Sequence, residues 1–349
     1  WQSQSRSNIA NILMQQRKYE EARKHYARSA ELMQRHWGGI DHPEVAACQS
    51  DLANCLAHLG EWDEARITLD RSRRTATQFT RRILAGLTEA EQLTWLEEDR
   101  ALRLQRALTF GLNRRDDPEM TAASAEWLAN GKGTGLESLA TRELLIRQAS
   151  GAEPRPVAQR LREIRTRLAG VIRGDLPLAA RAALVEEEEK LTKQLSALLR
   201  RPSLEANWTD VGTVRKALPR GSVFIDLARF DFTPLPPGGR GKEGERYAAW
   251  IVRPEAGTPI ELIDLGEAQP IDEAIWKVRE AMMVAPNVIA IRGAAEAERS
   301  VRERLRVLSK LLLDPMPDYV RKSKTWFISP DADLWLIPWC ALIYDDGEY

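Results

Sequence analysis

The sequence has few of the residues that mark disulfide, metal or membrane proteins. Its 349 residues include three cysteines, Cys48, Cys55 and Cys340, and they form no CxxC pair. No apolar run approaches the roughly 20 residues that a membrane-spanning helix needs. These absences argue against a disulfide framework and against a membrane protein, and they predict a reduced, cytoplasmic setting with no cofactor.

Neither basic nor acidic residues are in excess. Lys plus Arg and Asp plus Glu both number 51, so the formal net charge is zero. A balanced surface gives no reason to expect direct binding to nucleic acid or to an anionic membrane. With 43% hydrophobic residues the chain can bury more than one core, and its length predicts two or three domains.

A secretory leader is missing as well. The chain begins with Trp1 rather than Met, and no charged-then-apolar stretch follows it. We therefore expect a piece of a longer protein, without a signal peptide at this end.

What the sequence does have is an internal repeat. Residues 7–29 (SNIANILMQQRKYEEARKHYARS) align with residues 50–72 (SDLANCLAHLGEWDEARITLDRS) at an offset of 43, with nine identities. Small residues at Ala10/Ala53 and Ala22/Ala65, and bulky ones at Tyr26/Leu69, favour close antiparallel helices that stack pair on pair. The pattern resembles the tetratricopeptide repeat in its longer, kinesin-light-chain-like form, because GGIDHPEVA (38–46) matches that form's Gly-x-Asp-His-Pro connector. Because isolated pairs stack poorly, further repeats are expected before Trp1.

Residues 81–202 are predicted to form a helical connector. TEAE (88–91) is a capping box, Asp117-Pro118 marks a break, and the Gly-rich stretch at 126–139 predicts a turn. An apolar seam at Val157, Leu161, Ile164, Leu168 and Val171 then predicts one arm of an antiparallel helical hairpin at about 157–199. The first arm is rich in Arg and the second carries Glu186 to Glu189, and opposite charge favours their pairing. We interpret the Glu run as a solvated face rather than a metal site.

The composition changes after Pro202. Segments 221–230, 246–253 and 259–265 are rich in Val, Ile, Phe and Trp, which predicts an antiparallel meander. Helices are predicted at 271–283 and 295–313, before strand material returns at Trp326. Gly239, Gly241 and Gly244 spell GxGxxG, but that segment leads into a strand, and neither GK dipeptide completes a phosphate-binding loop. Nucleotide hydrolysis therefore has no support.

The order of motifs after residue 203 resembles the front part of a CHAT domain, a caspase-like peptidase domain often found behind tetratricopeptide repeats. The motifs are LPRGSVFIDLARF, RYAAWIVR, IELIDLGEAQPID, LLLDPM and WFISPDADLWLIPWCAL. The expected fold class is therefore α+β multidomain: repeats at 1–80, a helical connector at 81–202, and the α/β, pseudo-caspase-like portion of a CHAT domain at 203–349.

The resemblance implies a cysteine endopeptidase with a His and Cys dyad, in which imidazole activates a thiolate. All four histidines, His25, His36, His42 and His58, lie in the repeats. Cys340 falls in a stretch that matches the family's structural LPFAAL-like segment, so we expect a buried core residue and not a nucleophile. The family's dyad follows this segment, so the chain is predicted to contain no catalytic residue and to be inactive alone.

The resemblance also implies partners: an activating protein on the repeats, which can be an RNA-guided CRISPR effector, the remaining catalytic part of the CHAT domain, and a protein substrate. Asn11 and Asn54 follow the packing residues Ala10 and Ala53, which predicts that both amides line the concave groove and bind a partner's backbone. The alternative is that they are helix-surface residues without a ligand.

Two functions stay open from the sequence. The first is the regulatory and scaffold part of a CHAT cysteine endopeptidase. The second is a non-enzymatic protein-interaction module with a degenerate caspase-like domain. A histidine and a cysteine at strand ends further along the parent protein would separate them.

Overall fold

The fold was examined in a computed structural model of residues 1–349. The structure describes residues 2–39, 41–84, 92, 94–97, 103–147, 154–169, 178–198, 208–236 and 241–342. The chain divides into two compact units. The first is Trp1–Ala107, Trp127–Thr209 and Leu235–Gly239, and the second, which contains the sheet, is Leu108–Glu126, Asp210–Pro234 and Arg240–Tyr349. The α+β multidomain class is confirmed, since a helical repeat region precedes a mixed four-stranded sheet. The predicted capping box at 88–91, Val171 of the apolar seam and most of the connector's end at 199–207 lie outside the described residues.

Two helix pairs form the repeats. They are α1 (Gln2–Gln15) with α2 (Tyr19–His36), and α3 (Pro43–Leu59) with α4 (Trp62–Leu84). The predicted packing residues are all buried: Ala10, Ala22, Ala53, Ala65 and Leu69 are fully enclosed, and Tyr26 is nearly so. Because alanine has no side chain beyond Cβ, the helices of each pair approach closely at these positions.

Equivalent serines tie the helices of each pair together. Ser29 Oγ donates to the carbonyl of Ser3 at 2.8 Å, and 43 residues later Ser72 Oγ donates to the carbonyl of Ala46 at 2.7 Å. The hydroxyls are buried, so each bond satisfies a group that water cannot reach. The repeat therefore extends from the sequence to individual hydrogen bonds.

The turn inside each pair also repeats, but with a different residue at its critical position. Gly60 ends α3 in the left-handed region with φ of 82°, and Arg17 takes the same region at the end of α1 with φ of 59°. The amides that follow the helices bond the same carbonyls in both turns: Arg17 to Met14, Lys18 to Leu13, Gly60 to Ala57 and Glu61 to Leu56. Arginine has a Cβ that disfavours this conformation, and glycine does not.

The connector between the two pairs is organised around His42. Its Nδ1 accepts the backbone N–H of Glu44 at 3.2 Å and so caps α3, while Pro43 occupies the first helical turn. The imidazole stacks on Trp37, and the Arg181 guanidinium lies 4.1 Å from the Trp37 ring centroid. Because Nδ1 accepts a bond, the proton of the neutral ring is on Nε2, which has no hydrogen-bond partner among the described residues.

Four helices follow the repeats: α5 (Gln105–Asn113), α6 (Pro118–Arg147), α7 (Pro154–Ala169) and α8 (Leu178–Leu198). The predicted turn at 126–139 is wrong, because α6 continues through it. Gly131 faces Leu104, and a Cβ at Gly131 would stand 2.8 Å from Leu104 Cδ2, so the glycine permits close packing instead of breaking the helix. Thr134 Oγ1 also donates to the Asn130 carbonyl at 2.6 Å within this stretch.

Helices α7 and α8 pack against each other. Buried Ile164 and Leu168 of α7 meet buried Leu184 of α8. Two arginines of α7 pair with glutamates of α8, Arg160 with Glu187 and Arg165 with Glu188. In both pairs the arginine Nε donates to the glutamate Oε1 at 2.9 Å. The Glu run is not a uniformly solvated face, because Glu188 is 5% exposed and its carboxylate is paired in the helix interface.

The short helix α9 (Val211–Ala217) precedes the strands of the sheet. Strands β1 (Ser222–Phe232), β2 (Gly244–Val252) and β3 (Glu261–Glu267) form the predicted antiparallel meander. Helices α10 (Ala268–Arg292) and α11 (Ala294–Leu313) and the short α12 (Asp318–Arg321) then lead to β4 (Thr325–Ser329), which pairs parallel with β1. The strand order is β3-β2-β1-β4. The prediction that the first helix ends near residue 283 is wrong, because α10 continues past Pro286 alongside α11.

Both faces of this sheet are covered within the unit. Odd-numbered residues of β1 face the core of α10 and α11, where Ile225 packs with Ile275 and Leu308. On the opposite face, Trp250 Nε1 donates to Ser124 Oγ of α6 at 2.8 Å. β1 is buried along most of its length, and three charged residues, Asp226, Arg229 and Asp231, interrupt its apolar residues.

Cys340 is exposed, so the prediction of a buried core cysteine is wrong. The stretch after β4 is not a strand but two 3₁₀ turns, Ala332–Leu336 and Trp339–Ala341. Ile337 and Leu342, which follow the two turns, are buried, whereas Cys340 inside the second turn is exposed. Among the described residues, no helix is both long enough and apolar enough to cross a lipid bilayer.

Replacing Arg17 with glycine should stabilise the repeats. Arg17→Gly removes the Cβ clash of the left-handed turn and should raise the free energy of unfolding by about 1 kcal/mol. Gly60→Ala introduces the same clash into the second repeat and should lower it by a similar amount. Urea denaturation followed by circular dichroism measures both, and two unchanged midpoints would contradict the strain assigned to this turn.

The second prediction concerns acid. Burial, with the nearby Arg181 and His36, lowers the pKa of His42 to about 3, whereas an unfolded histidine titrates near 6.5. Between these values the unfolded chain binds a proton that the folded chain does not, so stability should fall as pH falls from 7 towards 4. His42→Asn keeps a capping oxygen but cannot titrate, so its urea midpoint should fall less over this range. Parallel curves for the two proteins would contradict the prediction.

Candidate protein-binding surface of the repeats

The two predicted site residues occupy equivalent places on the first helix of each pair. Asn11 of α1 is exposed and Asn54 of α3 is partly exposed, and each directly follows a fully buried alanine. The alanine fixes which side of the helix faces its partner helix, so the next residue is directed away from that contact. Their role as partner-binding residues stays a prediction.

Asn11 is held by a neighbouring tyrosine. The Tyr26 hydroxyl of α2 donates to Asn11 Oδ1 at 2.5 Å, and Tyr26 is only 4% exposed. Burial raises the pKa of Tyr26 above its ordinary value, with a further contribution from Asp51 that Arg106 opposes. The hydroxyl therefore stays protonated and donates to the Asn11 oxygen, so Asn11 keeps its amide N–H₂ and one lone pair of Oδ1 for a partner.

A charged pair lies close to the same tyrosine. Arg106 Nη1 donates to Asp51 Oδ1 at 2.7 Å and to Ser50 Oγ at 3.1 Å. Asp51 lies on α3, which packs against α2, the helix that carries Tyr26. We call Asn11, Tyr26, Asp51 and Arg106 the polar cluster. It combines amide donors, a carboxylate and a guanidinium, the groups that recognise peptide backbone and polar side chains.

The second repeat lacks the tyrosine clamp. The residue equivalent to Tyr26 is Leu69, which is fully buried and has no hydroxyl to donate. Asn54 therefore differs from Asn11 in its surroundings although the two align in the sequence. An amide that is not held by such a bond keeps its oxygen and its nitrogen for a ligand.

Exposed apolar residues accompany the polar cluster. Ile9 and Ile12 of α1 are 43% and 54% exposed, and they adjoin Asn8 and Asn11 in the chain. Apolar side chains beside polar ones are common in protein interfaces, where the apolar groups contribute contact area and the polar groups set the register. The first helix of the repeats therefore offers both kinds of contact.

Sequence reasoning missed three members of the polar cluster. The repeat pattern predicts only a bulky packing residue at Tyr26, although the hydroxyl of a buried tyrosine requires a partner. Asp51 aligns with Asn8, so the repeat itself marked that position as polar. Arg106 lies outside the repeat, and nothing in the sequence linked it to Asp51.

The described residues give no sign of a metal centre. No group of three or more His, Cys, Asp or Glu side chains is arranged there to hold an ion. His58 stacks on Tyr19 with ring centroids 4.9 Å apart, and burial lowers its pKa below the ordinary value. Burial also raises the pKa of the Cys55 thiol to about 11, and its Sγ contacts the Tyr19 carbonyl at 3.2 Å. These groups pack the repeats.

Comparison with known proteins agrees with the repeats. Residues 1–78 match a family model described as "Tetratricopeptide repeat". The curated proteins and the solved structures yielded no match to the chain. Since repeats of this type typically bind protein partners, residues 1–78 indicate a protein-interaction role.

The two asparagines should differ in their effect on stability. Asn11→Ala removes the acceptor of the Tyr26 hydroxyl and should lower the free energy of unfolding by about 1 kcal/mol. Asn54→Ala should change it by less than about 0.5 kcal/mol, as is usual for a surface position. Urea midpoints of the two variants test this difference.

Tyr26→Phe is the matched control, because it removes the same bond from the other side. In a double-mutant cycle, Asn11→Ala should cost little once Tyr26 is phenylalanine. A cost of Asn11→Ala that is unchanged in the Tyr26→Phe background would show that the bond does not stabilise the repeats.

Proposed function

We propose that this chain is the regulatory and scaffold part of a CHAT-family cysteine endopeptidase. In this proposal the repeats bind an activating protein partner, and the region after residue 203 supports a catalytic part that lies outside residues 1–349. The observation that carries the first half is the combination of paired repeats with the polar cluster and with Asn54 on the first helix of the second pair. Such a surface suits an extended protein segment, whose backbone offers donors and acceptors at regular intervals.

The sheet supports the second half of the proposal. In the described part of the sheet β4 is an edge strand. Its sequence, TWFIS, carries no charge, and Phe327 at its centre is 41% exposed. Natural edge strands are usually protected by charged residues or proline. An uncharged, partly apolar edge that pairs parallel with β1 suits a sheet that continues in a further strand, as a caspase-like fold would require.

The motifs after residue 203 are the reason for the CHAT assignment, and a dyad would need a histidine beside a cysteine. The chain has no histidine after His58, and Cys340 is the single cysteine after Cys55. We therefore place the dyad in the parent protein and give Cys340 no catalytic role. The activator can be an RNA-guided CRISPR effector, as in other members of that family, and the substrate would be a protein.

The same missing histidine favours the second candidate, a non-enzymatic interaction module. There the repeats would still bind a protein partner, while the sheet region would carry no peptidase in any longer form. The two candidates share the use of the repeats and differ only in the chemistry of the parent protein.

We expect residues 1–349 alone to be inactive. The purified chain should neither hydrolyse a fluorogenic peptide library nor form an adduct with a substrate-like peptidyl inhibitor that reacts with thiols. A simple alkylating reagent is unsuitable, because the exposed Cys340 would react without any catalytic machinery. Inhibitor-sensitive turnover by this chain would contradict the proposal.

The parent protein separates the two candidates. In the peptidase proposal it cleaves a protein substrate when its activator is present, and Cys340→Ala leaves that activity unchanged. Asn54→Ala should raise the activator concentration needed for half-maximal cleavage without lowering the urea midpoint. A parent that binds its partner through the repeats but never cleaves would favour the interaction module.

A further inference from the structure

A second surface, within the sheet unit, has the properties of a binding site. A cleft of about 730 Å³ lies beside the first half of α10 and the adjoining ends of β1 and β2. Its volume is within the range of sites that hold small ligands or peptide side chains. Its lining residues are Arg229, Glu245, Gln269, Asp272, Glu273, Trp276, Lys277 and Glu280.

The wall of this cleft is acidic. Arg229 is matched by two carboxylates, with Nη2 at 2.7 Å from Glu245 and 3.5 Å from Asp272. Lys277 lies 3.8 Å from Glu273. Glu280 has no ion-pair partner among the described residues. With four carboxylates facing two cations, a bound cation would find negative charge that the protein itself does not neutralise.

An exposed tryptophan stands in the same cleft. Trp276 is 54% exposed, and its indole N–H donates to Asp333 at 3.0 Å, which holds the ring in place. A ring that is fixed beside carboxylates attracts ammonium and guanidinium groups through its π face. Arg279 of the same helix already lies 5.4 Å from the ring centroid.

An apolar stripe continues from Trp276 along α10. Met283 lies seven residues after Trp276 and is 75% exposed, and Ile291 lies eight residues after Met283 and is 81% exposed. At about 1.5 Å per residue, the stripe from Trp276 to Ile291 is roughly 22 Å long. Side chains of this size are seldom so exposed on one face of a helix unless another molecule covers them.

We propose that the cleft and the stripe together bind a segment of a partner protein that carries a lysine or arginine next to large apolar side chains. The basic side chain enters the acidic cleft beside Trp276, and the apolar side chains lie on Met283 and Ile291. Charge complementarity selects this occupant, since an acidic segment would meet the unneutralised carboxylates. The surface is separate from the repeats and does not depend on the function proposed for them.

The probe is a fluorescein-labelled peptide of six Lys-Leu repeats, capped at both ends, and its fluorescence polarisation is measured with the intact chain. The Glu273→Gln/Glu280→Gln variant should bind it about tenfold more weakly, because two exposed charges are removed. Trp276→Ala should also weaken binding about tenfold, by loss of the aromatic contact, and Trp276→Phe should restore part of it. A Glu-Leu peptide of equal length should not bind.

Glu303→Gln is the matched control, because Glu303 is exposed on α11 and does not line the cleft. It should leave the affinity unchanged. Urea midpoints establish that each variant is folded. Equal affinity of the wild-type chain and the Gln variant, or equal binding of the Glu-Leu peptide, would overturn the proposal. A dimer in light scattering that Trp276→Ala dissociates would also overturn it, because a second copy would then cover the stripe.

Discussion

The repeats depend on one steric constraint, the close approach of two helices at residues that have almost no side chain. Ala10 and Ala22 make that approach in the first pair, and Ala53 and Ala65 make it in the second. Only at such a distance can a serine hydroxyl of one helix reach a main-chain carbonyl of the other, as Ser29 and Ser72 do. The approach also orients Asn11 and Asn54, since each is the next residue after a buried alanine.

The sheet unit depends on a different constraint, the burial of β1 on both faces. β1 pairs antiparallel with β2 and parallel with β4, and helices cover it on either side. A strand in this position must be apolar along most of its length. The return of the chain through α10 and α11 follows from the parallel pairing, because a parallel neighbour needs a long crossover connection.

The two candidate surfaces differ in chemistry. The polar cluster of the repeats combines amides with a matched Asp51 and Arg106 pair, so it suits a backbone-like ligand of no particular charge. The cleft beside α10 has surplus carboxylates and an exposed tryptophan, and the ligand proposed for it is positively charged. In the two proposals these surfaces bind different segments.

Local patterns predicted much of the fold. The 43-residue offset, the small residues at its packing positions and the alternation of the first three strands were sufficient for the repeats and the meander, because these features depend on neighbours in the sequence. Two predictions that relied on a local signal, a Gly-rich turn and a helix end before a proline, were wrong. Gly131 lies within α6 and faces Leu104, and α10 continues past Pro286 alongside α11.

The sequence by itself determined the existence of the repeats, the class of the fold and the positions of Asn11 and Asn54, because all three follow from residue type at a fixed spacing. Only the tertiary structure decided that Tyr26 clamps Asn11, that Arg106 meets Asp51, that Cys340 is exposed and that Trp276 stands in an acidic cleft. Each of these depends on which side chains meet across elements far apart in the chain. The spacing of residues along one helix or strand cannot specify such contacts, because burial and hydrogen bonding are determined only when the elements pack together.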